Sequence, residues 1–251
     1  MAESMLSVEN ISKRFDGLLA VNQASLTVHS GRITAVIGPN GAGKTTLFAL
    51  ISGFLTPTTG RVVYQGADIT GIPAHQLARR GITRTFQIVQ PFAGLSVLEN
   101  IAVGAHLRIP SRKAALRAAE RVARAVGLED MLDQPAGTLT VAGRKRLELA
   151  RTLATEPRLL LLDEVLAGLN PSEIRDIIPT IRAIRDGGVT IMMIEHVMQA
   201  VMSLAEHVFV LAEGRVIAEG APAVVAADPK VIEAYLGHGA ARNLAGRAHA
   251  H

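Results

Sequence analysis

The sequence predicts an α/β fold with a parallel sheet covered by helices on both faces. Strand-like and helix-like runs alternate through the second half of the chain, the order that builds a parallel sheet with crossover helices. One of the strand-like runs, RLLLLDE at 158–164, carries four consecutive leucines before its acidic end, as expected of a strand buried on both faces. Earlier, a Gly-rich loop at 38–43 joins a β-rich run to an apolar helix. The 251 residues suffice for one sizeable domain with a smaller subdomain attached. Apolar residues make up 49% and aromatics only 3%, with no Trp, so the core must be aliphatic.

Taken in order, Leu6 and Val8, then Leu26 and Val28, alternate with polar neighbours and predict short antiparallel strands. RITAVIG (32–38) predicts a strand, and TTLFALISGF (45–54) the helix after the Gly-rich loop. GRVVYQG predicts a strand from Gly60. Pro73 opens a short helix, PAHQLARRG, which Gly81 closes. SVLENIAVGAHL and AALRAAERVARAVGL carry 3.6-residue apolar periodicity with Arg-rich outer faces, and RKRLELARTLA (144–154) is amphipathic in the same way. RLLLLDE is followed by a helix (171–185), the strand VTIMMIE, a helix (197–205) and two short strands, HVFVLAEG and RVIAEG. The expected organisation is a core of residues 1–90 and 156–237, a helical insertion of 91–155, and a mobile small-residue tail over 238–251.

No run approaches the ~18–20 apolar residues that span a bilayer. The opening MAESMLSVENISKRF has no basic segment followed by an apolar run, so no secretory signal is expected. The absence of cysteine excludes disulfides, Cys-ligated metals and thiol catalysis. Net charge is +4, which permits anionic partners. No aromatics interleave with the Arg clusters, so no nucleic-acid partner is expected.

The chemistry concentrates in two places. Gly38, Pro39, Asn40, Gly41, Ala42, Gly43, Lys44, Thr45 and Thr46 contain the pattern G-x-x-x-x-G-K-[ST] between a strand and a helix. Glycines let the chain turn so tightly that successive backbone N–H groups point inward at phosphate oxygens. The helix that follows adds its unpaired N–H donors and partial positive charge. Lys44 is placed to reach the β- and γ-phosphates, and the Thr45 hydroxyl to ligate Mg²⁺. About 120 residues on, the Leu159–Leu162 strand ends in Asp163 and Glu164, at the sheet edge where α/β proteins bind ligands. Asp163 suits the Mg²⁺ shell, and Glu164 suits the base that polarises an attacking water.

With these residues placed, the chain resembles the ATPase subunits of ATP-binding cassette (ABC) transporters over nearly its whole length. That resemblance implies a P-loop ABC ATPase fold: a RecA-like parallel-sheet core, an N-terminal antiparallel β subdomain and an inserted helical subdomain. GPNGAGKTT is similar to the family's Walker A segment, and LLLLDE to Walker B with the catalytic glutamate. Gln87 in TFQ stands where the family has the glutamine that senses the metal and the membrane subunits. Ala167–Asn170 stands at the D-loop. His196 stands where a histidine contacts the γ-phosphate, and Phe15 where an aromatic ring stacks on adenine. Leu139-Thr140-Val141-Ala142-Gly143 occupies the signature LSGGQ, which the family presents in trans to the partner's ATP. Here Val141 and Ala142 replace two glycines, Asn170 stands where Asp is usual, and Val165 where Pro commonly follows the glutamate.

GITRTFQIVQPFAGLSVLENIAVGAH, DEVLAGLNPSE, IEHVMQAVM and EGRVIAEGAPAVVAADPKVIEAYLG are similar to the ATP-binding subunits of branched-chain amino-acid-type importers, although the helical segment before the signature is short for that group. The resemblance implies ATP and Mg²⁺ as cofactors and a peripheral position on the cytoplasmic face of the inner membrane. It also implies transmembrane permease subunits, a second ATPase subunit (a different chain or a second copy) and, indirectly, an external or periplasmic solute-binding protein. The residues leave open a cassette of an exporter or lipid-transport complex, a non-transport ABC ATPase, or an inert coupling subunit.

Overall fold

The computed structural model describes residues 3–86 and 90–236; Gln87 and the tail expected over 238–251 lie outside the described residues. The chain opens with β1 (Ser4–Phe15), β2 (Leu18–His29) and β3 (Ile33–Ile37), followed by α1 (Lys44–Ile51), β4 (Thr59–Tyr64), β5 (Ala67–Asp68), α2 (Ala74–Arg80) and β6 (Ile82–Arg84). Three helices come next: α3 (Val97–Ala105), α4 (Arg112–Ala125) and α5 (Val141–Leu153). The remainder is β7 (Leu159–Asp163), α6 (Pro171–Asp186), β8 (Thr190–Ile194), α7 (Met198–Leu204), β9 (His207–Ala212), β10 (Arg215–Gly220), α8 (Pro222–Ala226) and α9 (Pro229–Leu236).

Two sheets form. The antiparallel one runs β2-β1-β4-β5, and the larger runs β10-β9-β3-β8-β7-β6, parallel except for the edge strand β10. Period-two alternation divides the large sheet between two cores. Ala35, Leu160, Leu162, Met193 and Val210 face the layer of α3–α8. Val36, Leu161, Met192, Ile194 and Leu211 face α1 and the antiparallel sheet. All five residues of β3, β7 and β8 are buried, so each strand contributes apolar area on both sides, about 1.5–3 kcal/mol per large side chain. Among the described residues no helix is long and apolar enough to cross a membrane.

Three features depart from the sequence expectation. Strands β1 and β2 are twelve residues each rather than short. Register shifts at Val8/Ile11 and Ile11/Lys13, with Asn10 and Gln23 at positive φ, break their alternation, so only fragments show it. Strand β6 is only three residues long, too short for periodicity, and exists because Ile82–Arg84 pairs with Leu159–Leu161. Helices α8 and α9 are five and eight residues long, each opening on a proline, and are likewise below the length at which periodicity is legible.

Helices α3, α4 and α5 pack on one another. Ser96 and Glu99 form a capping box that starts α3. The α3–α5 crossing is set by Gly104, where a Cβ would fall 2.1 Å from the Arg151 carbonyl oxygen. Gly104→Ala is therefore expected to destabilise the chain by about 1–3 kcal/mol despite the better helix propensity of alanine. Urea unfolding measures this, and an unchanged or raised midpoint contradicts the close crossing.

Candidate functional site

Three loops meet at the carboxyl ends of β3, β7 and β8, and each brings one part of the site. The loop after β3 is pinned from outside. A Cβ on Gly38 (φ 149°) would lie 1.9 Å from the Leu211 carbonyl oxygen, and one on Gly43 (φ 97°) 2.3 Å from that of Ala20. Only glycine fits either position. The β9–β10 turn braces the loop further: Gly214 N–H donates to the Ala42 carbonyl at 3.0 Å, and the Gly214 carbonyl accepts from Asn22 N–H at 2.8 Å. Helix α1 starts at Lys44 with no side-chain cap, leaving its first-turn N–H groups for a ligand.

Lys44 is buried and its Nζ donates to the carbonyls of Gly38 and Pro39, both at 2.8 Å. Burial lowers its pKa, opposed by the charges of Glu164 and Asp163. A cavity of about 660 Å³ opens beside it, lined by Phe15, Leu18, the 40–46 loop, Glu164, His196 and Glu213. Phe15 is partly exposed at its edge, with the Lys13 ammonium 5.2 Å from its ring centroid. The structure thus gathers Phe15, the Gly-rich loop, Lys44, Thr45, Thr46, Glu164 and His196 around one space.

Asp163 ends β7 almost fully buried. Its Oδ2 accepts from Arg84 Nη2, its N–H donates to Thr85 Oγ1 at 3.0 Å, and its Oδ1 has no partner among the described residues. A buried orphan carboxylate oxygen close enough to Lys44 to perturb it fits a share in holding Mg²⁺. Among the described residues no group of three His, Cys, Asp or Glu could hold an ion. Asp163 and the Thr45 hydroxyl are the candidate ligands among the described residues, with Gln87 the third candidate outside them; phosphate oxygens and water commonly complete such an Mg²⁺ shell.

Glu164 follows at φ 49°, a left-handed conformation costly for a non-glycine residue. Its N–H donates to the Ile194 carbonyl at 3.0 Å, and its Oε1 is 2.7 Å from His196 Nε2. The two candidate catalytic side chains are therefore hydrogen-bonded to each other across the ends of β7 and β8.

Thr140, Val141, Ala142 and Gly143 do not line this cavity. Thr140 caps α5, its Oγ1 accepting from Gly143 N–H at 3.2 Å, and Val141 and Ala142 form the first helical turn. None of the three residues after Thr140 is at positive φ, so the replaced glycines are not needed for the backbone path. The Val141 side chain instead stands exposed on the surface. Asn170 does the work of an N-cap: Oδ1 accepts from Ser172 N–H and Glu173 N–H, both at 3.0 Å, and Glu173 returns the bond at 2.8 Å.

Three residues of this neighbourhood have no role of their own in the sequence analysis, although Glu195 stands beside His196 in the same motif. Arg84 is half-buried and paired with Asp163, its guanidinium 5.9 Å from the Phe48 centroid and 6.0 Å from that of Phe54. Lys145 is buried on α5. Glu195 is buried beside His196 and accepts from Leu166 N–H at 3.0 Å. Their one sequence signal is a charge inside an otherwise apolar or helical run.

Burial raises the Glu195 pKa from 4.5 to about 7, against the hydrogen bonds from Leu166 and His196 N–H. An acid with a raised folded pKa binds its proton more tightly folded than unfolded, so its burial weakens stability progressively as pH rises from about 4.5 to about 7. Glu195→Gln keeps the acceptor and removes the charge. Its gain in unfolding free energy over the wild type should grow with pH across that window, by up to about 3 kcal/mol. A difference that does not change with pH contradicts this.

Comparison with known proteins agrees with the geometry. The ABC transporter family profile matches residues 21–167, and that of the branched-chain amino acid ATP-binding cassette transporter matches residues 215–241. The high-affinity branched-chain amino acid transport ATP-binding protein BraF of Pseudomonas aeruginosa is 40% identical, over 94% of this chain and 99% of its own. LivG of Escherichia coli K12, with the same description, is 39% identical over the same shares. Two solved structures superpose with TM-score 0.86 over 94% of this chain and 100% of theirs: a nucleotide-free ATP-binding cassette from an ABC transporter, 33% identical, and an ABC transporter cassette in its ADP conformation, 34% identical. The chain belongs to the ABC transporter family, as an ATP-binding cassette of the branched-chain amino acid transport group.

Proposed function

We propose that this ATPase drives import of branched-chain amino acids or related small solutes. It would do so as one of two cassettes under a pair of membrane permease subunits, on the cytoplasmic face of the inner membrane. The solute class is supported by relatives named for it that match 94% of the chain. The two-cassette arrangement is supported by one observation: the Lys44–Glu164–His196 cavity contains no residue of the signature segment. A γ-phosphate seated there lacks donors on the side that a helix N-terminus from a second cassette would supply. The partner is a different cassette, as the importer resemblance implies, or a second copy of this chain. A solute-binding protein would deliver cargo from outside.

In this reading Phe15 stacks on adenine and the backbone of 38–46 wraps the phosphates. Lys44 exchanges its two carbonyl partners for phosphate oxygens, which restores the charge partner that burial denies it. Thr45, Asp163 and Gln87 would hold Mg²⁺, which would supply neutralisation of phosphate charge. Glu164 orients or deprotonates the attacking water. His196 holds Glu164 and reaches the γ-phosphate end. Thr140, with the N–H groups of Val141, Ala142 and Gly143, faces the partner's nucleotide.

Coupling to the membrane is supported by a groove lined by Phe54, His75, Ala78, Phe86, Val103 and Arg151. Phe54, Phe86 and Val103 are all substantially exposed in it. A permease segment covering these side chains would touch Phe86, the residue that precedes Gln87 in sequence.

Two outcomes test this reading. Glu164→Gln should lower ATP turnover by about 10²–10⁴-fold while nucleotide binding persists. Unchanged turnover removes Glu164 from the reaction. Lys44→Ala should lose nucleotide affinity, read by titration with a fluorescent ATP analogue, and intact affinity contradicts the cradle.

A further inference from the structure

Helix α5 sends a buried ammonium group to the main chain of Glu164. Lys145 is only 7% exposed, and its Nζ donates to the Glu164 carbonyl at 3.1 Å. On the other side of the same residue, the Glu164 N–H donates to the Ile194 carbonyl at 3.0 Å. Glu164 itself sits at φ 49°, a conformation that persists only where its surroundings over-determine it. The residue is thus clamped at both of its peptide groups. One clamp belongs to the central sheet and the other to the helix whose N-cap is Thr140.

An ammonium so deeply buried is expensive unless acids surround it. Here Glu195, Glu164, Asp163 and Glu148 all act on Lys145, with burial the largest influence and pulling its pKa down. Glu195 in turn holds the Leu166 N–H at 3.0 Å, in the segment that follows Glu164. A lysine serving only to pack α5 would be replaced at no loss by an apolar side chain of equal length. This one is instead influenced by four carboxylates and donates to the Glu164 carbonyl.

We propose that Lys145 is a positioning residue that ties the signature helix of a cassette to the catalytic glutamate of that same cassette. When the N-terminus of α5 engages the partner's γ-phosphate, the helix carries Lys145, five residues beyond Thr140, and resets the peptide that aims Glu164. Hydrolysis in one site then depends on nucleotide in the other. The inference rests on the two-cassette reading above and adds a route between its two sites.

The test is steady-state ATP hydrolysis by the full-length protein against MgATP concentration, with nucleotide affinity measured in parallel. Variants are Lys145→Met, Lys145→Arg and the double variant Lys145→Met/Glu195→Gln. The double variant removes the unpaired acid that the single one leaves behind, so it separates folding from positioning. Lys145→Met and the double variant should lower kcat about 10- to 100-fold, the scale of a small misplacement of a reacting group. KM and nucleotide affinity should stay within about twofold, since those interactions are made elsewhere, and the Hill coefficient should fall toward unity. Lys145→Arg should recover part of kcat. If the double variant, or Lys145→Met where it folds, matches wild-type kcat and Hill coefficient, Lys145 has no positioning role. If kcat returns in the double variant in step with its thermal midpoint, the role is structural and the proposal fails. A wild type inactive even with the membrane complex added, or an active one indifferent to Glu164→Gln, overturns the underlying catalytic reading instead.

Discussion

The site depends first on how closely three backbones pass one another. The loop after β3 runs against the end of β9 at Gly38 and against β2 at Gly43, at distances that exclude any Cβ. Because β9 belongs to the large sheet and β2 to the antiparallel one, the loop is held between the two sheets. The Gly214–Ala42 and Asn22–Gly214 hydrogen bonds close the same junction. The phosphate cradle is therefore fixed before ligand arrives, and the antiparallel sheet, which carries Phe15, is fixed relative to it.

Behind the cradle lies a second constraint, a dense set of buried and half-buried charges. Lys44, Lys145 and Arg84 face Asp163, Glu164, Glu195 and Glu148 within one region of the core. Such groups are poor contributors to stability and are tolerated when each has a partner. Most do: Arg84 with Asp163, Lys44 with two carbonyls, Lys145 with the Glu164 carbonyl. Two atoms of the set have no hydrogen-bond partner among the described residues, Arg84 Nε and Asp163 Oδ1, and the second is the acceptor that the proposed metal role of Asp163 would use. The incomplete coordination of Asp163 is what nucleotide and Mg²⁺ would complete.

Much of this was legible in the sequence. Leu159–Leu162 reads as a doubly buried strand because it is a short unbroken apolar run that ends in an acidic pair, and the Gly-rich loop reads from its spacing. Phe15 and His196 were placed by resemblance, and both line the cavity. Elsewhere the local signal was absent. The bulges at Asn10 and Gln23 erase the alternation of the long strands, and Ile82–Arg84 is a strand only by virtue of its neighbour. Arg84, Lys145 and Glu195 look like ordinary surface charges until the fold closes over them. Their importance comes from contacts across 19 to 79 residues of sequence, which no local pattern encodes.

The central claim is that one chain holds the nucleotide but does not complete its γ-phosphate site. It is tested most directly by turnover per chain as a function of chain concentration, alone and with the membrane complex added. Completion by a second cassette predicts that specific activity rises with concentration, or on addition of the complex. A specific activity independent of both would mean that a single chain is sufficient, and would contradict the account.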